Sequence, residues 1–431
     1  MANPTTASDV TGELPHGALT PEATAAKERM PKPLRRLFGS IFPLNLSVYL
    51  IVGAIPGVLL PLQVQGIDEA SKAANLAFVL GIGAIAAMIA GPIAGLVSDR
   101  TRSRFGRRAP WMVGGALVTG LSLVGMGFAN GVAQLVIAWT IVQVALNFLI
   151  SPLTAIMPDR VPSPVRGLFA TLLGIGAMFG ALGGQVVGAA FAEHIQAAYL
   201  VIPGVTVVMV TLFVVLNPDS SSKDRVNEPF SLLVFLKTFW VSPIKHPDFF
   251  WGFLGRLLLF TGYFAVTGYQ LYILQDYIGL GDQAVGAIPV LGGLSLLGMI
   301  VSMALAGPLS DRFHRRKVFV IIASLVIGIA MIVPLVAPSL VGMMIFTVVC
   351  GFGFGAYMAV DGALMSEVLP SDSTYAKDLG VLNIAATLPQ TVGPFVSGAI
   401  VVAVGYQALF PVGIVLAALG ALAIIPIKSV R

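Results

Sequence analysis

Long apolar runs, separated by short polar or Gly/Pro-containing breaks, dominate the chain from residue 41 to its end. A hydrocarbon core about 30 Å thick is crossed by roughly 20 apolar residues in a helix. Runs of that length fall at 41–64, 74–98, 110–129, 132–157, 166–192, 197–216, 249–275, 284–309, 317–337, 340–366, 378–404 and 408–427. They predict twelve transmembrane helices. A membrane β-barrel would show shorter segments of alternating polarity, and these runs are continuous. The expected fold is an all-α membrane protein with two six-helix bundles, 41–216 and 249–431.

Composition agrees. The chain is 57% hydrophobic and 10% charged, with a mean hydropathy of +0.91, whereas soluble domains carry about 25% charge. A net charge of +5 could suggest nucleic acid, but no polar domain is large enough to hold it. Cys350 is the one cysteine, and His16, His194, His246 and His314 are scattered, so neither an internal disulfide nor a metal site is expected. The glycine clusters "GALGG" and "GFGFG" lie within apolar runs without a P-loop lysine or a preceding strand. No nucleotide cofactor and no enzyme activity are expected, which leaves an ion gradient as the energy source.

The basic residues orient the chain. With the amino terminus inside, 23 of the 25 Lys and Arg residues fall on cytosolic segments, as the positive-inside rule requires. Lys72, in the first outer loop, and Arg256, within a helix, are the remainder. Residues 1–40 read as a cytosolic tail, and both ends lie inside an inner or plasma membrane. The linker 217–248 contains "FSLLVFLKTFWVSP", too short to cross, which reads as a helix lying in the inner interface.

One loop repeats. "GPIAGLVSDRTRSRFGRRAP" (91–110) returns as "GPLSDRFHRRK", with Asp311 212 positions after Asp99, and "AIMPDRVP" (155–162) returns as "ALMSEVLP" 208 positions later. Both echoes fall at corresponding places in the two halves, as internal duplication would give, and duplicated carriers hold substrate between their halves. Asp99 and Asp311 end helices 2 and 8, where the helix dipole disfavours an acid. Each needs a cation or a helix start as partner. The start of helix 11 near Lys377 and of helix 5 near Arg166 are the candidates, and Gly95 and Gly307, one turn earlier, would permit close approach.

At these residues the chain resembles the major facilitator superfamily over essentially its whole length. Gly95, Asp99, Arg100, Gly106, Arg107 and Arg108 match its loop signature with a four-residue insertion, and Gly307, Asp311, Arg312, Arg315 and Arg316 form a degenerate second copy. The resemblance implies a latch that closes the cytosolic side in the outward-open state. The longer form "SDRTRSRFGRRAPW" is similar to the loop of the glycoside-pentoside-hexuronide cation symporters and of the sucrose-transporter-like group, which implies a sugar. Helix 2 has no acid before Asp99, whereas the first group's sodium site uses helix-2 aspartates, so a proton is expected as the coupling ion. A monomer in the lipid bilayer carrying a small molecule is expected.

Two ionisable residues lie well within the spans: Arg256 in "FFWGFLGRLLLF" and Asp361 in "FGAYMAVDGALM". An unpaired charge there costs at least about 2.5–3.5 kcal/mol. Their depths from the cytosolic face match, so they are expected to pair and to serve coupling. In the arrangement the resemblance implies, helices 1, 4, 7 and 10 line the cavity. Candidate binding residues there are Asn45 and Tyr49, Gln143 and Asn147, Tyr263, Tyr269 and Gln270, and Tyr357. Helix 11 adds Asn383 and Gln390, and helix 5 carries Gln185. Amides and tyrosines give and accept hydrogen bonds while a ring stacks on a sugar face. The expected function is proton symport of a sugar or glycoside, and the alternative is proton-coupled export of amphipathic compounds.

Overall fold

A computed structural model describes residues 31–223, 244–313, 315–368 and 375–429. Of residues 366, 375–387 and 391 it describes the backbone path alone. The tail up to residue 30, most of the linker with its expected interfacial helix, and the side chains of Lys377 and Asn383 therefore lie outside the described residues.

Among the described residues twelve long helices account for the fold. The first half holds α1 (Lys32–Ile67), α2 (Lys72–Arg100), α3 (Ala109–Gly127), α4 (Val132–Arg160), α5 (Arg166–Ala190) and α6 (Ile195–Leu216). The second holds α7 (Pro247–Thr267), α8 (Ala284–Phe313), α9 (Arg316–Ala330), α10 (Leu340–Glu367), α11 (Tyr375–Val404) and α12 (Leu409–Ile424). Eleven of them carry an apolar stretch long enough to cross a bilayer, and α11 contributes the shorter apolar stretch Leu388–Val404. Helix α1 starts at Lys32, so residues 32–40, read as tail, extend the first span. Pro31 and Pro33 suit that start because a first-turn residue has no amide partner to lose.

The two halves repeat one set of pairings. Helix α1 packs on α5 and α6, α2 on α4, and α3 on α4 and α6. In the second half α7 packs on α11 and α12, α8 on α10, and α9 on α10 and α12. The halves meet along α2–α11 and α5–α8. One face carries the first and last described residues, Pro31 and Ser429, and the repeated loops, here the terminal face, and the other is the far face.

Lipid supplies no hydrophobic drive between helices, so packing depends on close backbone approach. At the α1–α5 crossing a Cβ on Gly53 would sit 1.9 Å from the Ala181 carbonyl oxygen, and one on Gly184 would sit 2.3 Å from the Leu50 carbonyl oxygen. Gly53→Ala is therefore expected to cost about 1–3 kcal/mol through forced separation of the helices. A melting curve in detergent checks this, and an unchanged midpoint would show that the crossing yields without cost.

Two helices are broken where the sequence reads continuous spans. In α1 a π-helical turn, Ile55–Leu59, contains Pro56, whose missing amide cannot close the α-helical ladder. Helix α7 stops at Thr267. Gly268 and Tyr269 interrupt it, and a short helix, Gln270–Tyr272, leads into a second π-helical turn, Ile273–Tyr277. Pro56 and Gly268 are 212 positions apart, the offset of Asp99 and Asp311. Such breaks are tolerated at membrane depth where the backbone lines a cavity.

Candidate functional site

A cavity of about 510 Å³ lies between the halves, walled by α1, α5, α7, α8 and α10 together with both broken turns. Pro56, Gly57, Gly268, Tyr269 and Gln270 all face it. Among the described residues none that lines it is charged. The polar groups are Tyr49, Gln185, Tyr263, Thr267, Tyr269, Gln270, Tyr272, Ser295 and Thr347, set among Val52, Met178, Leu182, Leu296, Met299, Phe346 and Phe354.

The sequence expectations divide here. Tyr49, Tyr263, Tyr269 and Gln270 line the cavity. Asn45 does not: its amide donates to the Leu173 carbonyl at 2.5 Å and ties α1 to α5. No described residue of α4 lines it either. Asn147 donates to the Gln143 carbonyl at 2.9 Å, and these two side chains face Gly91 and Gly83 of α2. They pack against α2 at those glycines, and the one bond between them stays within α4. Tyr357 is buried beneath the cavity, Gln390 is exposed and lies outside the lining, and Asn383 lies outside the described side chains.

Gln185 belongs to the wall, although its helix was not among those expected there. Its buried Oε1 has no hydrogen-bond partner and occupies the place a Cβ on Gly292 would take, 1.9 Å away. The amide of α5 thus reaches α8 of the other half. Its signal in the sequence is the glycine stripe "GALGGQVVG", which brings α5 close to its neighbours.

Arg256 and Asp361 pair. Arg256 Nε lies 3.4 Å from Asp361 Oδ2, with Asp361 1% and the arginine side chain 15% exposed. Neither carboxylate oxygen has a hydrogen-bond partner of good geometry among the described residues; the arginine is the cation that offsets the charge, with the Tyr357 hydroxyl beside it. Two turns separate this pair from the cavity wall on each helix, at Tyr263 on α7 and Phe354 on α10.

The repeated loops form matching ion clusters at the terminal face. Arg108, buried, reaches Asp99 at 2.5 Å and Asp159 at 3.0 Å, and also Ser98. Arg107 joins Asp159 at 2.5 Å and Asp99 at 3.7 Å. In the second half Arg316 joins Asp311 at 3.2 Å and also Glu367. Arg108 and Arg316, like Asp159 and Glu367, stand 208 positions apart, the offset of the second echo. Arg100 and Arg312 sit beside the acids at the ends of α2 and α8.

In this structure Asp99 is held by cations of its own loop, while the side chains at the start of α11, one of the partners expected for it, lie outside the described residues. Gly106, at φ +83°, turns the loop so that Arg107 and Arg108 fold back on the end of α2. A cation in the same loop reaches the acid without bringing two helices together. Arg166 instead donates to the Val161 and Pro158 carbonyls. No described atom lies within 4 Å of where a Cβ on Gly95 or Gly307 would stand, so the close approach expected there is not made among the described residues.

At the far face the halves are locked together. Lys72 Nζ meets Asp276 at 2.9 Å and stands 5.0 Å over the Tyr272 ring. The Tyr269 hydroxyl donates to the Ala73 carbonyl at 2.9 Å, and the Tyr272 hydroxyl to the Pro61 carbonyl at 2.8 Å. Gly398 accepts Ala77 and the Tyr269 hydroxyl against its backbone, and Gly81 accepts Phe395. Beside Lys72, Asp68 accepts from the Ser71 amide and from Asn75, bonds that hold its carboxyl below the usual aspartate range.

Twelve helices in repeated halves around an uncharged cavity suit a solute carrier, and comparison with known proteins decides the family. The profile of the Major Facilitator Superfamily matches residues 37–296 and 269–430. The chain belongs to this superfamily. As a major facilitator it is a multi-pass membrane transporter, not an enzyme.

The major facilitator fold is shared with solved structures of low identity. The nucleoside transporter NupG superposes with a TM-score of 0.74 at 14% identity, over 91% of this chain and 99% of that one. A D-xylose-proton symporter superposes with a TM-score of 0.68 at 19% identity, over 92% and 98%. By sequence, the D-xylose transporter of Levilactobacillus brevis is 30% identical over 124 residues, 29% of this chain and 26% of that protein. The glucose transporter GlcP of Staphylococcus epidermidis is 30% identical over 139 residues, 32% of this chain and 30% of that protein. The chain matches less than a third of the length of either relative.

Proposed function

We propose that this major facilitator is a proton-coupled symporter of a neutral sugar or glycoside, working by alternating access, in a cytoplasmic or plasma membrane with both termini in the cytosol. The observation that carries the reading is the uncharged cavity between the halves, rimmed by the Gln185 and Gln270 amides and the Tyr49 and Tyr263 rings. A neutral polyhydroxylated ligand satisfies amide and hydroxyl groups without needing a counter-ion, and a ring face packs on tyrosine. The xylose and glucose transporters among the relatives support the substrate class. The loop that resembles the glycoside-pentoside-hexuronide and sucrose-type symporters supports it too.

Asp361 is the group we assign to the proton. It is the buried acid two turns from the cavity wall, and its single cation can hold the carboxylate without fixing it. The acid clusters at the terminal face act as the gate in this reading. Asp99 is about half exposed while it holds Arg107 and Arg108, so it keeps acceptor capacity for the start of α11 when the halves close there. Asp99→Asn is expected to raise maleimide labelling of Cys350, which lines the cavity, several-fold from the terminal face. Labelling equal to the parent protein would count against the gate.

A second reading rests on the apolar part of the wall, where Met178, Leu182, Leu296, Met299 and Phe346 offer a surface for an amphipathic compound. Counterflow separates the two. Proteoliposomes loaded with unlabelled sugars are expected to accumulate labelled D-xylose, D-glucose or a disaccharide. Saturable movement of a lipophilic cation with no sugar competing would favour export.

A further inference from the structure

The cavity and the buried ion pair are separate compartments. Neither Arg256 nor Asp361 is among the cavity-lining residues. On both helices the residue that reaches the cavity lies seven positions away, Tyr263 from Arg256 and Phe354 from Asp361. Seven residues of helix are about 10 Å, beyond the reach of a hydrogen bond.

Aromatic rings fill the gap. Tyr263 and Phe354 stack at a centroid distance of 4.2 Å and 15° between planes. Phe260, buried, packs behind them, 5.6 Å from Phe354 and 5.7 Å from Tyr357. The Arg256 guanidinium stands 5.3 Å over the Phe260 ring. One face of the layer therefore lines the cavity, and the other touches the cation that holds Asp361.

Resting on the proton-symport reading, we infer that Phe260, with the Tyr263–Phe354 stack, is the positioning element through which Asp361 and the cavity sense one another. Protonating Asp361 removes the charge that offsets Arg256. A guanidinium in a dry site then leans on its remaining partner, the face of Phe260. Phe260 cannot shift without moving Phe354, because interior packing leaves little free volume. The stacked pair that moves is part of the cavity wall. In the reverse sense, a ring-shaped ligand that displaces Tyr263 from Phe354 alters the support of Arg256 and hence the proton affinity of Asp361.

Among the described residues Arg256 is the charged group facing Asp361, and Tyr357 flanks it on its own helix. Helices α8 and α9 also pack on α10, but their charged side chains, Asp311, Arg312, Arg316 and Lys317, lie at the terminal face. Arg316 is bound to Asp311 and Glu367, and Lys317 to the Ile425 and Ile427 carbonyls.

The test needs no known substrate. Cys350, the chain's one cysteine, lines the cavity one turn from Phe354, so its alkylation by N-ethylmaleimide reports the state of the wall. Rates are measured from pH 5.5 to 8.5 in the full-length protein, in Asp361→Asn and in Phe260→Leu. Thiol ionisation is common to all three, and division by the Asp361→Asn rate removes it. The normalised rate of the parent protein is expected to change about threefold or more with pH, and that of Phe260→Leu to stay flat. Ser295→Cys in a Cys350→Ser background places a second, less buried reporter on the neighbouring helix α8, which packs on α10 beside Gly351, with the same expectation.

A Phe260→Leu variant that keeps the full pH response overturns the inference. So does a parent protein whose normalised rate is flat. Sugar-driven proton uptake decides the symport reading separately, so the failure of one is distinguishable from the failure of the other. A loss of folding in Phe260→Leu is met with Phe260→Tyr, which keeps a ring over Arg256 and is expected to restore the pH response.

Discussion

Arg256→Leu is expected to destabilise the protein by about 3–5 kcal/mol, because it leaves a carboxylate buried without its cation. Asp361 is 1% exposed, lies 3.4 Å from Arg256, and has no hydrogen bond of good geometry to share its charge. A large fall in the melting midpoint follows, together with loss of transport. The double variant Arg256→Leu/Asp361→Leu removes both charges, and replacing a buried pair with apolar groups is often neutral for stability. It is expected to recover most of the midpoint and none of the proton-coupled uptake. Recovered uptake in the double variant would assign the pair a purely structural role.

Lys72→Glu is expected to open the far face. Lys72 is the one Lys or Arg that the sequence places on that face, and it is neutralised by Asp276 across the halves and by the Tyr272 ring beneath it. A half-exposed ion pair contributes up to about 1 kcal/mol and a cation–π contact about 0.5–1 kcal/mol. Reversing the charge adds repulsion, for a total near 2 kcal/mol. That is a shift of roughly 30-fold between closed and open far-face states. Labelling of Cys350 from the far side of oriented vesicles should rise accordingly. The exchanged pair Lys72→Asp/Asp276→Lys should bring it back, and no rise in Lys72→Glu would show that the tyrosine bonds alone seal that face.

The spans were legible because lipid imposes one rule, about 20 apolar residues per crossing, and the sequence obeys it almost throughout. Arg256 and Asp361 were legible for the same reason, since a charge within such a run needs a partner and each had one candidate. What sequence could not supply was direction. A helix apolar on every side gives no sign of which face meets the cavity, so Asn45, Gln143 and Asn147 looked like binding groups, yet Asn45 bonds α1 to α5 and the other two pack against α2. Gln185 was visible as an amide on helix 5 but was left out of the expected wall, as its helix carries small residues that read as packing.

The breaks in α1 and α7 were also invisible to hydropathy, which does not register a missing amide at Pro56 or a bend at Gly268. Those breaks deliver Tyr269, Gln270 and Tyr272 to the cavity and the far-face seal. Lys72 stood out only as an exception to the charge bias. Its role appears once the fold brings residue 276 within 2.9 Å.

Proton movement during sugar entry tests the central claim most directly. In weakly buffered proteoliposomes, addition of a sugar that the protein carries in counterflow is expected to raise the external pH in proportion to sugar uptake, and Asp361→Asn is expected to abolish the pH change. Sugar entry with no proton movement, or an equal pH change in Asp361→Asn, would contradict it.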